Sequence, residues 1–141
     1  MFLGEYQHSL DAKGRLILPS RFRAQLESGL TITRGLDRCI WVLPTATWTT
    51  WTEKLGEQLG VGDPRARDFA RFLFSGAHED HPDKQGRISI PDSLRRHAAL
   101  ERDVTTIGNG RWVEIWNRER WEASLVEQQA RMAENLADLG L

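Results

Sequence analysis

DAKGRLILPSRFR, residues 11–23, returns later in the chain as DKQGRISIPDSLR, residues 83–95. Five positions are identical in the two stretches, and they pair Asp11 with Asp83, Gly14 with Gly86, Arg15 with Arg87, Pro19 with Pro91 and Arg23 with Arg95. Three further pairs stay apolar: Leu16 with Ile88, Leu18 with Ile90, and Phe22 with Leu94. A repeat of this kind governs how the remaining sequence is interpreted. We therefore interpret the chain as two copies of one small unit rather than as one unbroken domain.

Both copies predict the same order of secondary-structure elements. In the first copy we expect a lead-in strand over 2–10, a turn at 11–14, a short strand at 15–18, a helix opened by Pro19, a hairpin within 30–43 and a helix over 47–59. The second copy repeats this order from residue 77, with 111–116 as the second strand of its hairpin, and ends in a helix over 119–139 with Asn117 as its cap. A further helix over 63–75, with Asp63 as its cap, lies between the copies. The predicted fold class is α+β.

The repeat suggests a division of the 141 residues into four segments: a first unit at 5–47, a helical connector at 48–75, a second unit at 76–119 and a C-terminal helix at 120–141. Each unit has about forty-five residues, a size at which independent folding is marginal. We therefore expect contacts between copies, or between chains, to supply much of the hydrophobic core.

Composition and charge narrow the possible functions. The chain is 40% hydrophobic and 28% charged, and no apolar run approaches the roughly 20 residues of a membrane helix. The N-terminus lacks a signal-peptide pattern, and Cys39 is the only cysteine, so we expect a cytoplasmic protein without an intrachain disulfide. The net charge is −1, but residues 1–47 hold six Lys or Arg against four Asp or Glu. A single chain would therefore bind a polyanion only weakly.

The Asp-x-x-x-Arg pairs are the strongest candidates for function. A carboxylate four residues before an arginine, across a tight turn, can fix the direction of the guanidinium group. The planar set of donors in that group fits a guanine edge or a phosphate. In the first copy, Lys13, Arg21 and Arg23 lie near enough in sequence to contact phosphates. The alternative is a turn held by a surface salt bridge, worth about 0.5 kcal/mol. The residues alone leave both interpretations open.

The chain resembles the MraZ family of bacterial transcriptional regulators. The resemblance covers nearly the whole sequence, through GEYQHSLDAKGRLILPSRFR (4–23), FSGAHEDHPDKQGRISIPDSLRRHAAL (74–100) and VEIWNRERWE (113–122). It implies two tandem SpoVT-AbrB-type domains with a swapped-hairpin, β-barrel-like fold and flanking helices. It also implies a ring of many subunits that binds repeated short DNA boxes upstream of the division and cell-wall gene cluster, usually as a repressor.

The resemblance implies a set of DNA-binding residues, which we extend to the neighbouring cations: Asp11, Lys13, Arg15, Arg21, Arg23, Asp83, Lys84 and Arg87. Gln85 replaces Lys13 in the second copy, and Asp92 and Ser93 replace Ser20 and Arg21. We therefore expect the second copy to contact DNA less strongly and to contribute more to assembly. A ring would present many weakly basic faces together, which raises affinity through effective concentration. The expected partners are promoter DNA and further copies of the chain, at the nucleoid.

Other functions are weaker on the residues. An antitoxin-like interaction module is the main alternative, although such proteins typically have one copy and a disordered tail. His78 and His81 lack the four-residue helical spacing of a zinc protease, so we expect no enzyme activity, metal, cofactor or small-molecule substrate. The six tryptophans are predicted to pack in the core or at interfaces rather than to stack on bases, and Cys39 is predicted to be a buried, inert thiol.

Overall fold

The strands of the two repeats are interleaved in one antiparallel sheet. The computed structural model describes all 141 residues. In chain order, the elements are β1 (Glu5–Ser9), β2 (Arg15–Ile17), α1 (Ser20–Leu26), β3 (Leu30–Arg34), β4 (Ile40–Pro44), α2 (Thr45–Gln58), α3 (Pro64–Ser75), β5 (His78–Asp80), β6 (Arg87–Ser89), α4 (Asp92–His97), β7 (Asp103–Gly108), β8 (Val113–Asn117) and α5 (Arg118–Asp138). A short 3-10 helix, Leu36–Arg38, lies between β3 and β4. The protein is α+β, as the sequence predicted.

Each repeat gives its lead-in strand to the hairpin of the other repeat. The six-stranded sheet has the order β1–β7–β8–β4–β3–β5, and every neighbouring pair is antiparallel. β1 of the first repeat pairs with β7 of the second, so that Glu5 lies opposite Ile107. β5 of the second repeat pairs with β3 of the first, so that Asp80 lies opposite Leu30. The exchange completes a core that a unit of about forty-five residues cannot bury alone.

β2 and β6 form a separate two-stranded antiparallel ribbon, with one strand from each repeat. At its centre Leu16 lies opposite Ile88, and both side chains are buried. Beyond the strand ends, the Leu18 amide donates to the Gly86 carbonyl and the Ile90 amide donates to the Gly14 carbonyl, both at 2.9 Å. The end of each ribbon strand is therefore tied to the turn of the other repeat.

Both faces of the large sheet are covered, by two separate hydrophobic clusters. On one face, the sheet packs against the ribbon, α1 and α4, with Phe22 and Leu94 fully buried. On the other face it packs against helices α2, α3 and α5. The alternation along β4 follows from the strand period: Ile40 and Val42 enter the first cluster, and Trp41 enters the second. All six tryptophans lie in or against this second cluster, which confirms their predicted packing: Trp41, Trp48, Trp51, Trp112, Trp116 and Trp121.

Local sequence signals located most element boundaries. The Asp63 side chain accepts a hydrogen bond from the Arg65 amide and caps α3, and the Asn117 side chain accepts from the Arg120 amide and caps α5. The second hairpin differs slightly, because its second strand begins at Val113 rather than at residue 111. The predicted division at 5–47, 48–75, 76–119 and 120–141 stays a prediction. The units so defined share one sheet and do not form separate ones.

Candidate nucleic-acid interface

The first Asp-x-x-x-Arg motif is a closed turn with an oriented guanidinium. One carboxylate oxygen of Asp11 accepts hydrogen bonds from the backbone amides of Lys13 and Arg15, each at 2.9 Å. The other oxygen accepts from Nε of Arg15 at 2.7 Å. Gly14 completes the turn with φ of +74°, a conformation that favours glycine. The carboxylate thus fixes both the turn and the direction of the Arg15 side chain.

The second motif repeats this geometry. Asp83 accepts from the amides of Gln85 and Arg87 at 2.9 Å each, and from Nε of Arg87 at 2.7 Å. Gly86 has φ of +77°. The replacement of Lys13 by Gln85 leaves the geometry unchanged, because the contact to Asp83 uses the backbone amide and not the side chain. The lower charge of the second copy therefore does not alter how its arginine is held.

Both arginines face outward with their terminal nitrogens free. The side chain of Arg15 is 29% exposed and that of Arg87 is 30% exposed. In each case Nε is held by the aspartate, whereas Nη1 and Nη2 make no hydrogen bond within the chain. A guanidinium held in this way presents two or more donors of fixed direction to an outside acceptor. This geometry fits a base edge or a phosphate.

The aspartates stay ionised at physiological pH. The Arg87 amide, and then the Arg87 guanidinium, lower the pKa of Asp83 to about 2. The Arg15 amide, followed by the Arg15 guanidinium and the Lys13 amide, lowers the pKa of Asp11 as well. Both carboxylates are therefore negative wherever the protein works, and each keeps its arginine oriented.

The ribbon brings the two arginines to one surface. Arg15 lies opposite Ser89, and Ile17 lies opposite Arg87. Because side chains alternate along a strand and Leu16 points into the core, these four side chains share the outer face of the ribbon. Diagonal neighbours in an antiparallel pair have backbone positions about 7–8 Å apart, so Arg15 and Arg87 leave the ribbon close to each other. The repeat in the sequence predicted the two motifs as sites on separate units, and their convergence on one surface was not expected.

Ile17 and Ser89 are surface residues of this face that sequence analysis missed. Ile17 is 52% exposed, which is unusual for a large aliphatic side chain, and Ser89 is exposed beside Arg87. The signal that would have found them is the two-residue period of the strands around buried Leu16 and Ile88. An exposed aliphatic side chain between two outward arginines suits contact with an apolar group, such as a thymine methyl.

The remaining predicted cations differ in their surroundings. Lys13 and Lys84 are exposed in the two turns, and Arg21 is exposed on α1. Arg23 is instead half-buried, and its Nε donates to the Leu18 carbonyl at 3.0 Å. Its predicted phosphate contact stays a prediction, but the side chain already has a partner inside the protein.

The histidines and the cysteine form no alternative site. His78 lies in a strand, β5, and not in the helix that a zinc-protease signature requires. No group of three or more His, Cys, Asp or Glu side chains is placed to hold a metal ion. Cys39 is buried, donates to the Leu36 carbonyl, and has a pKa raised by burial and then by neighbouring carboxylates, which confirms the inert thiol. Separately, none of the helices combines the length and the apolarity needed to cross a membrane.

A family model and similar proteins of known name agree on one family. A family model described as "MraZ protein, putative antitoxin-like" matches the chain twice, at residues 1–72 and 73–139. The protein named "Transcriptional regulator MraZ" from Pediococcus pentosaceus is 49% identical over 100% of both chains. Its namesake from Heliobacterium modesticaldum is also 49% identical over 100% of both chains. That from Micrococcus luteus is 46% identical over 99% of this chain and 96% of its own.

Proposed function

The chain belongs to the MraZ family of transcriptional regulators, which is not a family of enzymes, and we propose that it binds double-stranded promoter DNA through the outer face of the β2–β6 ribbon. The observation that carries this proposal is the pair of outward guanidinium groups, each held by an aspartate, on one face of a two-stranded ribbon. The major groove of B-DNA is about 12 Å wide and admits a β-ribbon. The ribbon therefore has the form of a groove-reading element.

The spacing of the two arginines suits a single groove. Their side chains leave the ribbon about 7–8 Å apart, which is less than the width of about 12 Å of the major groove. Arginine most often reads guanine through O6 and N7. We therefore propose that Arg15 and Arg87 read bases, and that Asp11 and Asp83 orient their guanidinium groups. The matching geometry of the motifs favours equal use of both copies, in contrast to the weaker role expected for the second copy from charge.

We assign the phosphate contacts to the cations around the ribbon. Lys13 and Lys84 occupy corresponding exposed turns, and Arg21 extends the basic surface along α1. These three side chains would supply the salt-sensitive part of the affinity. By family resemblance the targets are repeated short boxes upstream of the division and cell-wall genes, the usual effect is repression, and the location is the nucleoid in the cytoplasm. The same resemblance assigns the interleaved strands to the SpoVT-AbrB fold.

Assembly into a ring accounts for DNA binding by a chain of net charge −1. The distal half of α5, with Leu139 directly after it, leaves apolar side chains exposed at helical spacing: Met132 at 46%, Leu136 at 39% and Leu139 at 72%. A helix face of this kind gains stability by covering another surface. We assign it to a second copy of the chain.

The receiving surface in the second copy is a groove between α2 and α3. This groove has a volume of about 380 Å³ and is lined mainly by apolar side chains, with Leu55 and Phe69 among them. Arg67 and Arg71 also line it. The groove and the exposed stripe of α5 match in their apolar character. Because they differ from each other, the contact is head-to-tail, and repeating it leads to a ring when the rotation closes.

Binding to a promoter fragment tests the proposal. Fluorescence anisotropy at near-physiological salt should give tight binding to DNA with the repeated boxes and much weaker binding to a shuffled sequence of the same length. Arg15→Ala should weaken the specific complex by about 1–3 kcal/mol, the value of one bidentate base contact. Arg65→Ala is the control, because this side chain is 91% exposed on α3, on the other face of the sheet. Equal affinity of wild type and Arg15→Ala would refute the assigned role.

An antitoxin-like function remains the second candidate, because the family description includes that term. Antitoxins of this type use a tail that is unfolded until a toxin binds it. In this chain the corresponding residues form a helix, α5, to Asp138. Limited proteolysis of the free protein separates the two functions. Rapid loss of the last twenty residues would favour the antitoxin, and resistance favours the regulator.

A further inference from the structure

We propose that Arg23 and Arg95 are positioning residues, and that each holds the Asp-x-x-x-Arg turn of the opposite repeat. The two residues occupy the same position in the repeated motif. The Arg95 guanidinium lies over Gly14, and the Arg23 guanidinium lies over Gly86. Each repeat therefore closes the turn of the other. For DNA binding, the inference rests on the proposed function.

The contact at each glycine is close and reciprocal. A Cβ atom built on Gly14 would lie 2.2 Å from Nη1 and 2.7 Å from Cζ of Arg95. A Cβ atom built on Gly86 would lie 2.4 Å from Nε and 2.7 Å from Cζ of Arg23. The planar guanidinium thus occupies the space that a side chain would need. Both glycines are buried, although each belongs to a turn whose aspartate is exposed.

Backbone hydrogen bonds tie the same points together. The Arg23 side chain donates through Nε to the Leu18 carbonyl at 3.0 Å, while the Leu18 amide donates to the Gly86 carbonyl at 2.9 Å. Arg23 thus spans the junction between the end of its own ribbon strand and the turn of the second repeat. A turn fixed at this junction keeps Arg87 in register with the ribbon.

The second repeat uses the same contact with a different anchor. Arg95 lies with Nη2 at 3.6 Å from a carboxylate oxygen of Asp92, which replaces Ser20 of the first copy. Its Nε is buried and has no hydrogen-bond partner. Packing over Gly14, rather than a bond from Nε, is therefore what Arg95 provides to the first turn. Asp92 also pairs with Arg96, so this carboxylate is shared between two arginines of α4.

Hydrogen exchange in the free protein tests the crossed assignment without DNA. Arg95→Lys and Arg23→Lys keep the charge and the aliphatic stem but remove the planar group that covers the glycine. Arg95→Lys should accelerate exchange in the peptide containing residues 11–15 by roughly fivefold, the factor that corresponds to about 1 kcal/mol, and leave residues 83–87 unchanged. Arg23→Lys should do the reverse. Millisecond mixing followed by mass spectrometry resolves both peptides in any oligomeric state.

The turn in which hydrogen exchange accelerates, in each variant, decides whether the crossed assignment is correct. Acceleration in the turn of the mutated repeat itself, in both turns equally, or in neither turn would overturn the inference. Arg21→Lys, an exposed neighbour of Arg23 on α1, is the matched control and should leave both peptides unchanged. Exchange in β3 and β4 serves as an internal reference, because a generally destabilised variant would accelerate there too and would count against a local role.

Salt dependence of promoter binding then separates positioning from phosphate contact. If Arg23 positions the turn, Arg23→Gln lowers specific affinity and leaves the slope of log K against log salt unchanged. If Arg23 contacts a phosphate, the slope falls in magnitude by about 0.9 and the inference is overturned for this residue. A protein that binds no DNA at all would refute the proposed function, whereas the crossed exchange pattern would still stand or fall by itself.

Discussion

Substitution of lysine for the two outward arginines tests whether the forks read bases. Arg15→Lys and Arg87→Lys each keep the positive charge but replace a planar, bidentate donor by a point charge. In the folded protein each variant also loses the bond from Nε to its aspartate, which orients the arginine at 2.7 Å. The attraction to phosphates is preserved, so a loss confined to the specific DNA fragment reports the loss of the oriented guanidinium rather than of charge.

The expected loss of binding affinity follows from the geometry of one guanidinium group. A bidentate contact of arginine with guanine contributes about 1–3 kcal/mol of discrimination, which corresponds to about 5- to 150-fold in Kd. Because the two motifs have the same distances and similar exposure, we expect the two variants to lose affinity by similar factors. In a ring, the loss per site is multiplied over the subunits that bind DNA at the same time.

Fluorescence anisotropy measures the specific affinity and its salt dependence. The assay uses box-containing and shuffled DNA fragments at two or more salt concentrations. Specific affinity should fall in both variants, while binding to the shuffled fragment and the salt slope stay close to wild type. An Arg87→Lys variant with wild-type affinity would refute the equal use of the two repeats. A pair of variants that lose affinity equally on both fragments would refute base reading altogether.

Three further outcomes are expected. The Asp83 carboxylate should titrate with a pKa of about 2, so its contribution to stability is fully present above about pH 5 and is lost progressively as the pH falls from about 4 through 2. Carbon-13 NMR measures this pKa, and a midpoint near 4 would contradict it. Leu136→Asp, on the distal half of α5, should lower the assembled mass in light scattering, and an unchanged mass would exclude this face from the contact. Cys39 should resist thiol reagents in the native protein because it is buried and its pKa is raised; fast labelling would contradict this.

The sequence was a good guide wherever the determining contacts are local. Asp63 and Asn117 were readable as helix caps, and the Asp11 turn was readable from the spacing of its aspartate and glycine, because each bond spans only a few residues. The packing of the tryptophans followed from their helical and strand positions. These features depend on propensities that a short stretch of sequence contains.

The features that the sequence did not reveal depend on contacts between the repeats. Two copies with the same strand pattern can pair within themselves or with each other, so the pairing of β1 with β7 has no local signal. The convergence of Arg15 and Arg87 follows from the β2–β6 pairing, which joins residues seventy or more positions apart. The packing of Arg23 over Gly86 has no local signal for the same reason, since Gly86 lies in the other repeat.

Guanine analogues in the promoter boxes test most directly whether Arg15 and Arg87 read bases from one ribbon. Replacing a contacted guanine by 7-deazaguanine removes the N7 acceptor and leaves Watson–Crick pairing intact. We predict that two guanines within one box are sensitive to this replacement with the wild-type protein. Arg15→Ala should abolish the sensitivity of one of them, and Arg87→Ala that of the other. The prediction would be contradicted if the loss of affinity from the arginine substitution and the loss from the guanine analogue simply add, with no coupling at any guanine.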